Sequence, residues 1–484
     1  MKRFIALITA LLLMTGCSST EYIQNDEYSS NTQSTSSEIP NSSNSSTTSS
    51  ETSSSSESSL IESSSSEVTS EDNSNIIPEE EIKPTKKEPE YVKFFEEQIV
   101  HTLNISIDEE DWQSICNNPT AKEYKHVDLV IDDNEYLDCA LKTHGNSTLK
   151  TTTDREKLCF PFKIKFDKYN DDNSLFGLDE IVLCNNIIDT SYARQYAGYE
   201  VFRALGLPAP LTTFFEVYLN SEYFGLYTCV EDVDSDFLKR NYDNKKGNLY
   251  KMDEMATLLP NMSSWSVDQK KGEDTSREDL NLLIKTLDEM PLGEKGNIED
   301  ILDVNSVLAY LGIGSVIHHC DGYAGYPAHN YCLYNNNGLF YMIPWDMDLC
   351  FYQTGWGFRQ SPGAQMDIKD GLTDTAKLED RPLVQKLLDV PEYYEIYLDY
   401  CQKAYEWLKD FNENGVDELF GRIESSIKLD PKHNYNSFKN EYNKNIRTSF
   451  AGYIDERVEY LEKRIPEIYA ELKEELDMAE DIRY

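Results

Sequence analysis

Positive charge is scarce in this chain. Its 484 residues carry 45 Lys and Arg against 87 Asp and Glu, a formal net charge of -42. A field of that sign repels nucleic-acid backbones and anionic membrane surfaces, which excludes a nucleic-acid-binding role. It attracts basic peptides, and it serves solubility equally well. The ten cysteines contain no CxxC pair and no regular spacing, so zinc-ribbon and dithiol redox chemistry have no motif here. No internal repeat is visible. The N-terminal apolar run Phe4 to Met14 is too short to span a bilayer comfortably. What is present is the composition of a folded body, with 39% hydrophobic residues, 12% aromatics and 32 tyrosines. The length suits one large domain or two ordinary ones.

The short apolar run reads instead as a targeting segment. Lys2 and Arg3 precede it, and it ends in Met14-Thr15-Gly16-Cys17, which resembles a bacterial lipobox. Residues 1–16 are then a signal peptide and Cys17 is the lipidation site, giving an extracytoplasmic protein on a cell-membrane lipid anchor. The rival is an ordinary signal peptide with a fortuitous cysteine. With Cys17 acylated, nine of ten cysteines remain. An odd number cannot pair fully within one chain, so buried free thiols are expected.

From Ser18 to about Asn75 the chain is Ser, Thr, Asn and Glu with almost no large apolar residues. Such a segment cannot bury enough surface to offset the entropy of ordering. Ile77 to Glu90 continues it with Pro, Glu and Lys. The linker thus covers 17–90, and a folded body covers 91–475, followed by a tail at 476–484.

Within the body the first part, about 91–255, carries β signals. Phe160, Phe162, Ile164 and Phe166 alternate with Lys163 and Lys165. Phe214 to Leu219 and Tyr223 to Val230 read as a hairpin around Asn220-Ser-Glu. One helix is expected over Thr190 to Leu205. In the second part, about 275–475, three- and four-residue apolar spacing predicts helices over 280–287, 304–316, 383–388, 393–408 and 453–472. The class is α+β with two lobes, β-rich first and helical second.

The chemistry concentrates between Ile317 and Phe351. The expected helix 304–316 runs into His318-His319-Cys320-Asp321, and a Gly- and Pro-containing loop leads to His329-Asn330. A hairpin around Asn335-Asn-Asn-Gly338 then delivers Pro344-Trp-Asp-Met-Asp348. A loop Asp, then an Asn, then a carboxylate returned by a hairpin is the functional order of protein kinases. There the first Asp accepts the substrate hydroxyl proton, and the later two hold metal ions on the phosphates. Hard oxygen ligands suit magnesium. Yet no HRD, DFG or GxxxxGK[ST] stands in the chain. Each residue also has a bland use: loop aspartates cap helices, Asn-Gly runs turn hairpins, and Asp346 with Asp348 fits a calcium site or a solvated turn. His318 and His319 lack metal-ligand spacing.

At these residues the chain resembles the CotH (spore-coat protein H) kinase family, from about Ile99 to Ile465. The shared landmarks are His144-Gly-Asn-Ser-Thr148, Phe162-Lys-Ile-Lys-Phe-Asp167, Tyr192-Ala-Arg-Gln195, Glu216 to Tyr227, Glu231 and Pro344 to Asp348. His144 stands where the family usually has arginine. The resemblance implies an atypical protein-kinase-like two-lobed fold. It also implies ATP and Mg2+ (Mn2+ or Ca2+ being other cations for the same oxygens), and phosphate transfer to serine or threonine of secreted or coat proteins. Asp321 then corresponds to the catalytic base, and Asn330, Asp346 and Asp348 to metal ligands. Trp345 corresponds to the aromatic that stacks on the base, or else to a hairpin-end core residue. Lys163 or Lys165 would reach the phosphates, Asn146 and Ser147 form an anion-binding turn, and Arg194, Glu216 and Glu231 are candidates to pair with that lysine or the nucleotide. Partners would be Ser-rich basic proteins at the cell surface. The competing classes are a catalytically inactive surface adhesin of the same fold and a calcium-stabilised structural lipoprotein.

Overall fold

Alternating apolar side chains in the first half close into a barrel. In the computed structural model, seven strands follow one another round it in the order β1-β2-β3-β4-β5-β7-β6. They are β1 Val100–Ile107, β2 Lys125–Ile131, β3 Asn134–Thr143, β4 Phe162–Lys165, β5 Glu180–Cys184, β6 Thr212–Leu219 and β7 Glu222–Glu231. All neighbours are antiparallel except β1 and β6, whose parallel pairing closes the ring. Closure leaves no strand edge exposed. Phe160, Phe162, Ile164 and Phe166 are at most 2% exposed and join one core with residues of the other strands. The β6–β7 turn is only Asn220-Ser221, both at positive φ, which matches the twist that a two-residue hairpin needs.

The structure describes residues 88–481, apart from 156 and 243. The expected signal segment and lipidation site at Cys17, and the Ser-rich spacer, lie outside the described residues. Described structure enters a helix at Glu90, and the expected tail from 476 continues the last helix, Phe450–Asp481.

The fold class is α+β. The expected division near residue 255–275 is crossed by a second sheet, ordered β11-β10-β8-β9. It combines β8 Leu249–Met252 and β9 Val267–Lys271 with the later hairpin β10 Tyr331–Asn336 and β11 Leu339–Pro344. The hairpin was legible from Asn337-Gly338, both at positive φ. Its partner β8 was not, because strand alternation says nothing about which edge a hairpin joins.

The helix Val304–Ile317 is buried almost all round, as its apolar sequence requires, and starts where the Asp303 side chain accepts from the Ser306 N–H. It ends at His318, in left-handed backbone. There the fully buried Arg457 guanidinium donates to the carbonyls of Ser315 and Val316, and also to Ala364 and Met366. A cation at a helix C-terminus satisfies carbonyls that have no intrahelical partner. This clamp fixes the point from which the Asp321 loop departs.

Candidate active site

A cleft of about 370 Å³ is lined by the ends of β3, β4, β5 and β7, by β8 and β9, and by the residues flanking the β10–β11 hairpin. Asn330, Trp345, Asp346 and Asp348 lie in it together with Asn146, Ser147 and Lys163. Asn146 and Ser147 were expected in a turn; they begin a helix, Ser147–Asp154, whose N-terminal end lies at the cleft. Gly145, at φ +79, makes the approach possible, since a Cβ there would sit 2.8 Å from Thr148 Oγ1.

The carboxylates in the cleft are under-compensated. Neither Asp346 nor Asp348 has an ion pair among the described residues. Burial, with Asp346 and Asp321 nearby, pushes the Asp348 carboxyl well up. Burial and Asp321 also raise Asp346, against the pull of Lys251. A divalent cation fits such a donor set. The cleft carboxylates are not drawn into a tight cage, and magnesium does not need one, because substrate phosphates complete its shell. Among the described residues, the one group of three or more His, Cys, Asp or Glu whose ligand atoms lie within 4.8 Å of one another is His126, Asp128 and Asp138. It is exposed, and none of the three lines the cleft.

The cations in the cleft are under-compensated too. Lys122, Lys142, Lys163, Lys251 and Lys270 line it. Lys163 is bridged to Glu180 and Asp232, each at 2.5 Å, and Lys270 pairs with Asp268. Lys122, Lys142 and Lys251 have no carboxylate within ion-pairing distance among the described residues. Lys142 rests over the Tyr124 ring and Lys251 over Trp345, 4.5 and 5.2 Å from the ring centres. Burial, assisted by Lys251, Lys163 and Lys122, pushes the His144 imidazole down to about 3 despite Asp232. His144 is therefore neutral at physiological pH, unlike the arginine usual at this position in the resemblance described above.

Several expected residues lie elsewhere. Asp321 is 4% exposed and does not line the cleft; it stands behind Asn330, whose Nδ2 donates to Asp321 Oδ2 at 2.7 Å. Lys165, on the same strand face as Lys163, does not line the cleft; it shares Glu180 with Lys163 and also pairs with Asp167, both at 3.0 Å. Glu216 accepts from Ser426 Oγ at 2.7 Å, tying β6 to the helix Val416–Ile427. Glu231 is fully buried against Arg240 and accepts from the Leu211 N–H. Arg194 is 1% exposed, held by Asp189 at 2.5 Å and Glu441 at 3.0 Å, with its guanidinium 3.9 Å from the Tyr352 ring centre. Its carboxylate partner Asp189 reaches the cleft; Arg194 does not. Arg194→Ala should therefore cost roughly 3–5 kcal/mol in denaturant unfolding, because it strands buried Asp189. A variant with wild-type stability and lost nucleotide affinity would return Arg194 to the ligand.

Trp345 is placed for either of its expected uses. It is 7% exposed in a cluster with Val233, Phe237 and Tyr334, yet it lines the cleft and a smaller adjoining pocket of about 200 Å³. The nine described cysteines are all free, and burial raises the thiol of Cys184 in the cleft well up, as expected of inert core thiols.

With this geometry in place, the comparison with known families is decisive on one point. A family model described as CotH kinase protein matches residues 141–468. The chain belongs to the CotH kinase family. A search of the curated proteins returned no match. The CotH match contains most of the cleft but not Lys122, and sequence reasoning missed Lys122, Lys142, Lys251, Lys270, Asp189 and Asp253. No local spacing could have signalled them, since they come from segments far apart in the chain and share only the cleft.

Proposed function

We propose that this CotH-family chain is an atypical protein kinase that transfers phosphate from ATP to serine or threonine of Ser-rich, basic extracytoplasmic proteins. In this reading it is held at the membrane by lipid on Cys17, and the barrel-bearing and helical parts act as two kinase-like lobes. The observation that carries the reading is the uncompensated charge of both signs in one cleft. Three lysines without carboxylate partners stand near two carboxylates without cationic ones, in a chain of net charge -42. A polyphosphate together with a divalent cation neutralises both sets at once.

Asn330, Asp346 and Asp348 would hold Mg2+, with Mn2+ or Ca2+ as the other hard cations suited to the same oxygens. The bound ion would neutralise charge on the phosphates and orient them. Asn330 is preset for this: its Nδ2 is committed to Asp321, which leaves Oδ1 as the free ligand atom. Lys142 and Lys251 would grip phosphate oxygens, and Trp345 would meet the nucleoside. Phosphoryl transfer asks mainly for positioning and charge stabilisation, so this arrangement can supply most of the catalysis.

The test is incubation with Mg2+ or Mn2+, Ser-rich basic peptides and ATP labelled either at the γ-phosphate or at the α-phosphate. γ-Label on serine is expected. α-Label on protein would make the enzyme a nucleotidyl transferase, and no transfer without Mg2+-dependent nucleotide binding would leave the binding-module reading. Mass spectrometry of the mature N-terminus checks the anchor: a diacylglyceryl Cys17 is expected, and an unmodified start elsewhere removes it.

A further inference from the structure

Lys122 reaches the cleft from outside the region matched by the family. It follows the helix Glu109–Asn117 and the short turn Pro119–Ala121, upstream of residue 141. That excursion is firmly seated. Trp112 packs against Phe160 and Phe224, with ring centres 6.2 and 5.7 Å away. The Thr143 hydroxyl, 2% exposed, donates to the Pro119 carbonyl at 2.5 Å. Lys122 itself is in left-handed backbone, φ 52, a conformation that costs energy in a residue with a Cβ. Its Nζ donates to Asn146 Oδ1 at 2.7 Å, directly before the helix at the cleft.

A hydrogen bond to a neutral amide holds an ammonium in place but does not offset its charge. The charged groups acting on Lys122 are Lys251 and Lys270, which oppose it, and Asp253, which favours it. Burial together with the two lysines lowers its pKa. Three ammonium groups from three separate segments thus face one cleft, Lys122 from the left-handed C-cap of the Pro119–Ala121 turn.

We infer that Lys122 is a phosphate-binding residue, and that the segment Asp108–Tyr124 completes the anion site with Lys251 and Lys270. This rests on the proposed nucleotide-binding function of the cleft. The ligand class is a polyphosphate, gripped from the barrel side by Lys122 and from the second sheet by the other two lysines.

Calorimetric titration of the full chain with Mg-ATP, and separately with inorganic tripolyphosphate, tests it. Lys122→Met should weaken both by roughly tenfold or more, the usual scale for losing one charge-assisted hydrogen bond. Lys122→Arg should bind within a few-fold of wild type, and Asn146→Ala should show an intermediate loss. Lys150→Met removes the same charge from an exposed position paired with Asp154 and should bind like wild type. If Lys122→Met binds as wild type does, or if Lys150→Met weakens binding equally, the role of Lys122 is refuted while the function of the cleft stands. Should wild type bind neither ligand, both proposals fall together. Asn146→Ala also keeps the inference testable if Lys122→Met does not fold.

Discussion

Asp346→Asn should abolish magnesium-dependent nucleotide binding and lower phosphate transfer by roughly 10²-fold or more, the scale on which losing a metal ligand or a preorganised electrostatic group acts. The backbone there tolerates the change. Asp346 sits at φ 51, a conformation that Asn adopts more readily than most residues. It is pinned on both sides. Its N–H donates to Tyr199 Oη at 2.8 Å, and Met347 is fully buried. Gly198 lets the helix Arg194–Ala204 close on this point, because a Cβ at 198 would stand 2.5 Å from Met347 Cβ. The fold should therefore survive, and thermal unfolding without ligand should stay close to wild type. The informative contrast is in the metal. Without Mg2+ the variant should bind ATP at least as well as wild type, because one carboxylate no longer repels the phosphates. With Mg2+ the gain expected of wild type should vanish, along with the rise in Tm that a bound ligand produces by mass action. Asp348→Asn should behave alike, since Asp348 lines the same cleft and burial with the neighbouring carboxylates raises its carboxyl too. An Asp346→Asn protein whose ATP affinity still rises with Mg2+ would remove this carboxylate from the metal site.

What the sequence made legible was local. Asn337-Gly338 and the alternation in Phe160 to Phe166 encode a turn and a pleat within a few residues, and both took the expected form. The helices 304–317 and 391–410 were readable because their apolar spacing is strong, with boundaries moved by at most two residues. The helix Ser147–Asp154 was not, because its Ser and Thr residues are weak helix formers. It forms by burying Leu149 and Thr152, with Thr152 and Thr153 hydroxyls donating to carbonyls four residues back. Barrel closure rests on β1 meeting β6, more than a hundred residues later, and no local pattern records that pairing. Expectation and structure also part at Arg194 and Glu231, although two of their partners, Asp189 and Arg240, are only five and nine residues away in the chain. Their charges invite a ligand, but Asp189, Glu441 and Arg240, which satisfy them, are identified only by the folded chain. Conversely, Lys122, Lys142 and Lys251 are ordinary in sequence, and only the folded chain brings them to one cleft with no carboxylate in ion-pairing distance among the described residues.

Asp321→Ala and Asp321→Asn should differ sharply, and the difference decides what this residue does. As the base expected from the order of the motif, Asp321 would have to meet the substrate hydroxyl in the cleft. It lies instead behind Asn330, with Oδ2 accepting from Asn330 Nδ2 and Oδ1 buried without a hydrogen bond. His319 Nε2 is 3.3 Å from that Oδ1 but is not aligned to donate to it. Asn330 is otherwise held through its backbone, in left-handed conformation at φ 55, its carbonyl accepting from Tyr310 Oη at 3.2 Å and from the Trp345 N–H at 3.3 Å. Among the described residues Asp321 is thus the one side chain hydrogen-bonded to the Asn330 amide, and we propose a positioning role. An Asn at 321 can still accept from Asn330 through its own Oδ1, so Asp321→Asn should keep transfer within about tenfold of wild type, the worth of one charge-assisted hydrogen bond reduced to a neutral one. Asp321→Ala leaves Asn330 Nδ2 buried and unpaired, lets the amide turn, and should match Asn330→Ala, with kcat down roughly 10²-fold. Magnesium-dependent ATP affinity should fall in the same two variants and be rescued in Asp321→Asn, a pattern that a loss of stability alone would not produce. A steep loss of transfer in Asp321→Asn, with nucleotide–metal binding intact, would overturn the positioning role and make Asp321 the proton acceptor after all.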